Sequence, residues 1–284
     1  MRSVTQNQAI DVNWTAFGGK LDLLDGDRDP FASGRGRTGF MNTALLLPVN
    51  GVPIVPFAAL GAGAIFSMEG NPVASIMVLN ASDTTTEAGL SDLFNDGALV
   101  LGTLNLQLSL NDQMGIQTFS VGYSTRTFTF LNKDPRVVLP NVPLNPQSGG
   151  WIAWWSGTQY IEPFDPKNNP MHGWGLLGRF GMSEDEVAPL TYWANAGLGG
   201  NSRIHGRQND RWGVGWFYGS SSNELGSVVS ADLNVDSHTT GVEMLYNITI
   251  TENFFVTPDL QVIKPGRNKT NTVVVAGVRG EIRI

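Results

Sequence analysis

The sequence predicts an all-β chain: one large antiparallel β-barrel of the kind that crosses a membrane with its strands. Three observations predict it. Apolar and polar residues alternate with period two over stretches mostly 10–14 residues long, whereas soluble strands usually run about 5–6 residues and tilted membrane strands need ~9–11. No segment of the 284 residues approaches the ~20 consecutive apolar residues of a membrane helix. Composition is the third: only 15% of residues are charged, glycine reaches 34 and aromatics 10%, with eight Trp. Low charge with many aromatics suits a strand face that meets lipid.

Taken in order, the alternation predicts twelve strands, at about 9–20, 54–67, 72–81, 98–110, 115–128, 150–161, 172–182, 190–200, 209–219, 239–250, 254–264 and 271–284. The last is the plainest. Val274, Ala276, Val278 and Ile282 face one way, and Arg279, Glu281 and Arg283 face the other. Trp212, Val214, Trp216 and Tyr218 likewise oppose Arg211, Gly213 and Gly215. Linkers give an independent test, because membrane barrels have short turns on one side and long loops on the other. With the C-terminus on the inner side, the long linkers 82–97, 129–149 and 220–238 all fall outside, while 69–72, 111–114 and 251–253 fall inside. The linkers 162–171 and 201–208 also fall inside and are longer than the pattern wants. The count works if 21–53 is one long outer loop. Its stretch LLDGDRDPFASGRGR is rich in Gly, Asp, Arg and Pro, which resist regular structure. Such a loop can fold into the barrel and narrow it. Residues 1–284 form a single domain on this count.

The net charge of −7 excludes nucleic acid as a partner, since phosphate binding needs a surplus of Lys and Arg. Cysteine is absent, which removes disulfides and thiolate chemistry. The segment Met1–Ile10 lacks the basic start and apolar run of an export signal, so either the protein is not exported or its true N-terminus is missing.

No active-site constellation stands out, and the chain is expected not to be an enzyme and to need no cofactor or metal. Asp25, Asp27 and Asp29 resemble the start of a calcium loop. Its glycine and glutamate positions, however, hold Pro30 and Gly36, so a solvated loop is expected. The three histidines, His172, His205 and His238, are scattered. Glu184, Asp185 and Glu186 read as an exposed acidic loop rather than a glycosidase pair. Most Trp residues fit an interfacial girdle. Trp154 and Trp193 fall on the polar side of their strands and are candidates for stacking on a solute in the lumen. The inward charges Arg126, Arg179, Arg211, Glu243, Asp259, Arg279, Glu281 and Arg283 make a mixed-charge, water-holding wall.

Several segments resemble the carbohydrate-selective porins of the OprB type. They are GWGLLGRFG at 173–181, GLGGNSRIHGR at 197–207, DRWGVGWFY at 210–218, SNEL at 222–225, GVEMLYN at 241–247 and TPDLQVIKPGR at 257–267. Upstream, GKL at 19–21, Phe40–Asn42 and FAALGA at 57–62 are also similar to the family. The resemblance implies an outer-membrane porin barrel of about sixteen strands, of which about twelve are present here. It also implies facilitated diffusion of monosaccharides past a narrowing lined by arginines and inward-folded loops. By motif, Arg179, Arg207, Asp210, Arg211 and Asp259 are the first candidates for the solute path, joined by Arg126, Glu243, Trp154 and Trp193 from the inward face. Asp25, Asp27, Arg35 and Arg37 are the charged residues of the expected constricting loop. Implied partners are small sugars and outer-membrane lipid, and a homo-oligomer is compatible with the family. The alternative from residues alone is a secreted β-sandwich that binds carbohydrate through its Trp residues.

Overall fold

Period-two alternation is realised in the computed structural model as thirteen strands. The structure describes every residue except 1–3, 12, 27–28, 33–35, 130, 132–145, 226–233 and 284, with backbone alone at 4–11, 25–26 and 146–147. The strands are β1 (Val4–Asp11), β2 (Trp14–Asp22), β3 (Ala58–Met68), β4 (Asn71–Asn80), β5 (Ala98–Leu110), β6 (Gln113–Thr129) and β7 (Pro146–Asp165). They continue as β8 (Asn169–Ser183), β9 (Leu190–Asn201), β10 (Arg211–Ser221), β11 (His238–Thr251), β12 (Phe254–Lys264) and β13 (Val273–Ile282). All lie in one sheet in sequential order, each antiparallel to the next. A sandwich needs two packed sheets, so the β-sandwich alternative fails here. β1 and β13 are the two edges, and the described residues do not pair them with each other.

The twelve expected strands are all present, and β1 precedes them. Residues 9–11, expected to begin the first strand, end β1 instead, because Asp11 pairs with Trp14 around a tight turn. The strand expected from 54 begins only at Ala58. Pro53 and Pro56 lack the amide hydrogens a ladder needs, so the loop runs from Leu23 to Phe57 rather than 21–53. The linker expected at 162–171 shrinks to 166–168, with ladder irregularities at Tyr160/Glu162 and Pro163/Asp165 absorbing the proline. Loop parity sharpens at 166–168, while 202–210 stays longer than the pattern wants. Among the described linkers, one side carries 69–70, 111–112, 166–168, 202–210 and 252–253, and the other carries 81–97, 184–189, 265–272 and the long stretch between β2 and β3. Two of the short turns have left-handed backbone, which Gly, Asn and Asp adopt most readily: Glu69–Gly70 at φ 52 and 80, and Asn111–Asp112 at φ 52 and 59.

The two faces of the sheet are chemically inverted relative to a soluble protein. Outward positions hold exposed Leu104, Phe119, Val121, Phe180, Leu198, Val214, Met244 and Leu260. Inward positions hold buried Arg179, Asn195, Glu243, Asn247, Thr257, Asp259 and Gln261. At β13 the outward Val274, Val278 and Ile282 are 65%, 73% and 70% exposed. Aromatic pairs form between neighbouring strands and along one strand: Trp14 with Phe66 at the ends of β2 and β3, Trp174 with Trp212, and Trp216 with Tyr218 in the middle of β10. The first lies where an interfacial girdle places aromatics, at the strand ends.

The sheet wraps around the Leu23–Phe57 segment, which contacts inward side chains from β6 through β13. Phe31, Phe40 and Leu45 pack against Tyr160, Leu177, Trp193, Phe217 and Leu245. Ile54 joins Phe128, Ile152 and Val187. The acidic 184–189 linker is thereby half-buried rather than exposed, because Val187 and Ala188 are drawn inward. Burial, and then the like charges of Glu186 and Asp185, push the Glu184 carboxyl above the ordinary range.

Close approach of the segment depends on two wall glycines. A Cβ on Gly213 would stand 2.8 Å from the Phe40 ring, and one on Gly215 would stand 2.9 Å from both Leu45 methyls. Gly215→Val should therefore overpack this contact at a cost of about 1–3 kcal/mol. The check is the temperature at which the folded, fast-migrating band of the detergent-purified protein converts to the unfolded one. It should fall, and an unchanged temperature would mean Phe40 and Leu45 do not press on this wall.

Candidate functional site

A segment without regular structure, placed inside a sheet, carries backbone groups that no ladder satisfies. The Leu23–Phe57 segment has little helix to help. It contains one four-residue α-helical turn, α1 (Thr43–Leu46), capped where Ala44 N donates to the Asn42 side chain at 3.0 Å, and two short 3-10 turns, Leu23–Gly26 and Val49–Gly51. Further turns within the segment satisfy some groups, such as Val55 N to Gly51 O at 2.8 Å, and others find partners on the wall.

The carbonyls are held by cations and amides. Arg126 donates to Pro53 O at 3.0 Å and Arg179 to Leu46 O at 2.7 Å. The Trp193 indole and the Asn195 amide both donate to Ala44 O, at 2.8 and 2.9 Å. Arg211 donates to Pro30 O. Arg279 reaches Gly36 O, Arg37 O and Gly39 O. Amide hydrogens go to carboxylates: Met41 N and Asn42 N donate to the two oxygens of Glu243 at 2.6 and 2.7 Å.

Two ion pairs complete the arrangement. Arg179 meets Asp29 at 3.3 Å with side chains 3% and 2% exposed. Asp29 also accepts from Phe31 N, Ala32 N and the Thr158 hydroxyl at 2.8, 3.0 and 3.0 Å. Asp259 pairs with Arg279 at 3.6 Å and accepts from Gln261 at 3.0 Å, while Gln261 accepts from Asn42 at 3.1 Å. A buried charge with several hydrogen bonds tolerates loss of water, but removing one partner strands the other.

The wall residues singled out in the sequence thus divide. Arg126, Arg179, Arg211, Glu243, Asp259 and Trp193 are brought together by the inward segment and hold it. Trp193 is fully buried beneath that segment. Trp154 faces a cavity of about 450 Å³ between the segment and β2–β9. Arg207 and Asp210 sit elsewhere, in the 202–210 turn, paired at 3.4 Å, with Asp210 accepting from Thr249 N. Of the loop charges, Arg37 is exposed and Asp25 lies in a short helical turn, Leu23–Gly26, its side chain undescribed. Asp27 and Arg35 fall outside the described residues.

Sequence reasoning missed Asp29, expecting a solvated acidic loop. The signal was present: an Asp ahead of Phe31 and Ala32 can cap their amides and let the apolar pair turn inward. It also missed Asn195 and Gln261, ordinary polar residues at inward register positions. Among the described residues no cluster of His, Asp and Glu is arranged to hold a metal ion.

The carbohydrate-selective porin, OprB family, matches residues 13–283 of the chain. Among solved structures, the high-pH structure of Pseudomonas putida OprB superposes with a TM-score of 0.78 at 16% identity, over 98% of this chain and 71% of that one. The low-pH structure of the same protein gives 0.54 at 14% identity, over 99% of this chain and 65% of that one. At these identities the superpositions show the fold alone. No curated protein sequence matches the chain.

Arg179→Met should leave Asp29 buried without its cation and free the Leu46 carbonyl, at a cost of about 3–5 kcal/mol. The inward segment should loosen. Single-channel conductance in planar bilayers is expected to become larger or noisier than wild type. A variant with wild-type conductance and noise would show that the ion pair does not hold the segment in place.

Proposed function

This chain belongs to the OprB family of carbohydrate-selective porins, outer-membrane proteins of Gram-negative bacteria, and on that premise we propose that it passes monosaccharides by facilitated diffusion through a lumen narrowed by Leu23–Phe57. Membership makes it an outer-membrane sugar porin, a channel rather than a catalyst. The observation that carries the finer proposal is the inverted chemistry of the sheet. Apolar side chains face out, polar ones face in, and a segment secured to the inner wall leaves a cavity beside it. A water-filled lumen of neutral hydroxyls and paired charges can exchange hydrogen bonds with a hydroxylated solute without trapping ions of one sign.

Strand parity extends the proposal to closure. With thirteen antiparallel strands among the described residues, β1 and β13 run in the same direction. Joining them directly would make one parallel seam, and leaving them apart exposes unsatisfied backbone to lipid. An odd number of further strands between the two edges restores antiparallel pairing throughout. Three bring the total to about sixteen, an even count of the kind bacterial outer-membrane barrels use.

On this account Arg126, Arg179, Arg211, Glu243 and Asp259 act on the solute path by fixing the width of the narrowing. Trp154 is exposed to the path itself. Arg207 and Asp210 shape the turn at the opposite mouth from the long loops. Liposome swelling with the purified full-length protein tests the proposal. Pentoses and hexoses should enter readily and a trisaccharide much more slowly. Equal rates for all three sizes would argue against a narrowed sugar path, and no swelling with any would argue against a channel.

A further inference from the structure

We propose that the cavity beside the inward segment is a subsite for neutral pyranose sugars, with Trp154 as the platform on which the ring stacks. The proposal rests on the sugar-porin function and names which sugars the lumen favours and where.

The wall around Trp154 is polar and uncharged in an ordered way. Thr103, Ser120 and Trp154 are successive cross-strand neighbours on β5, β6 and β7. One step along, Asn105, Thr118 and Ser156 form a second such row. All six line the cavity. The Thr103 and Ser120 hydroxyls lie 3.0 Å apart, and Thr118 donates to Asn105 at 2.9 Å. A hydroxyl can donate once and accept twice, so each keeps hydrogen-bonding capacity for a solute.

Trp154 differs from most of the other tryptophans, and unlike Trp14 it lies on the inward face beside the cavity. The indoles of Trp155, Trp174, Trp193, Trp212 and Trp216 each donate to a protein acceptor, at 2.7, 3.0, 2.8, 3.2 and 2.9 Å. Trp154 donates to none among the described residues, although it lies on the inward, polar face of β7. Its ring packs in part against the Ile54 and Val187 cluster and in part lines the cavity, where its N–H has no protein acceptor among the described residues.

The opposite side is apolar, formed by Leu46, Pro48 and Val52 of the inward segment. A pyranose has this same division: flat C–H faces and a rim of hydroxyls. An open-chain polyol has the hydroxyls without the face. Three charged residues line the cavity: Arg179 pairs with Asp29 at 3.3 Å, and Asp22 adds a carboxylate, so the one cation there is already matched and an anionic sugar is disfavoured. The volume of about 450 Å³ falls within the roughly 300–1,000 Å³ of small-molecule sites.

The test is uptake of glucose and of sorbitol into proteoliposomes carrying the full-length protein, measured over a range of concentrations. Wild type should show saturable glucose uptake, with sorbitol saturating at much higher concentration. Trp154→Ala should raise the half-saturating glucose concentration by roughly three- to tenfold, as expected for one lost aromatic contact, and leave sorbitol unchanged. Trp154→Phe, which keeps a stacking face, should restore most of the difference, and it excludes misfolding as the cause. If glucose saturates at the wild-type concentration in Trp154→Ala, the subsite is wrong while the porin function stands. If wild-type protein conducts ions yet takes up no sugar, the subsite and the sugar function fail together.

Discussion

The structure depends on one constraint: an irregular stretch of backbone lies inside a curved sheet, where each of its N–H and C=O groups must find a partner. Helices and sheets satisfy themselves; the Leu23–Phe57 segment does so only in part, through turns such as Leu47 N to Thr43 O and Val55 N to Gly51 O. The wall answers with side chains of matching sense. Arginines, an indole and an amide serve its carbonyls, and Glu243 serves two of its amides. An unsatisfied buried group costs about 1–3 kcal/mol, so this many paired groups decide whether the segment stays inside. The wall charges are spent chiefly on the segment, and only indirectly on a solute.

Holding and shaping then follow from the same pattern. Where the segment presses, the wall has glycine, as at Gly213 and Gly215 beneath Phe40 and Leu45. Where the wall has large side chains, as at Trp193, the segment passes over them and binds their polar atoms. Where the segment stands away, the wall is hydroxyl-rich and a cavity remains. The outward face carries the complementary requirement. It has no backbone to satisfy and is free to be apolar, which suits lipid. Inner and outer chemistry are thus set by different demands on alternate residues of the same strands.

Much of this was legible in the sequence because strand alternation is a local signal. The face of Arg211, Gly213 and Gly215 against that of Trp212, Val214 and Trp216 can be read without knowing any neighbour. So can the turns at Glu69–Gly70 and Asn111–Asp112. What stayed hidden is non-local. The partner of Arg179 is Asp29, separated from it by most of the chain and set in a stretch whose composition suggests water. The inward burial of Val187 similarly depends on Ile54 arriving from the segment. Sequence identified Arg179, Glu243 and Asp259 as inward charges. Only the fold shows that they face backbone groups, because the shape of an irregular segment has no period to read.

The most direct test of this account is amide hydrogen exchange of the wild-type protein in lipid, resolved along residues 29–47. The account predicts that Phe31, Met41, Asn42 and Ala44, whose amides donate to Asp29, Glu243 and Asn42, exchange slowly, on the timescale of β11 rather than of the exposed linkers. Exchange at the rate of the 81–97 linker would contradict it, because the segment would then be held by neither wall nor cap.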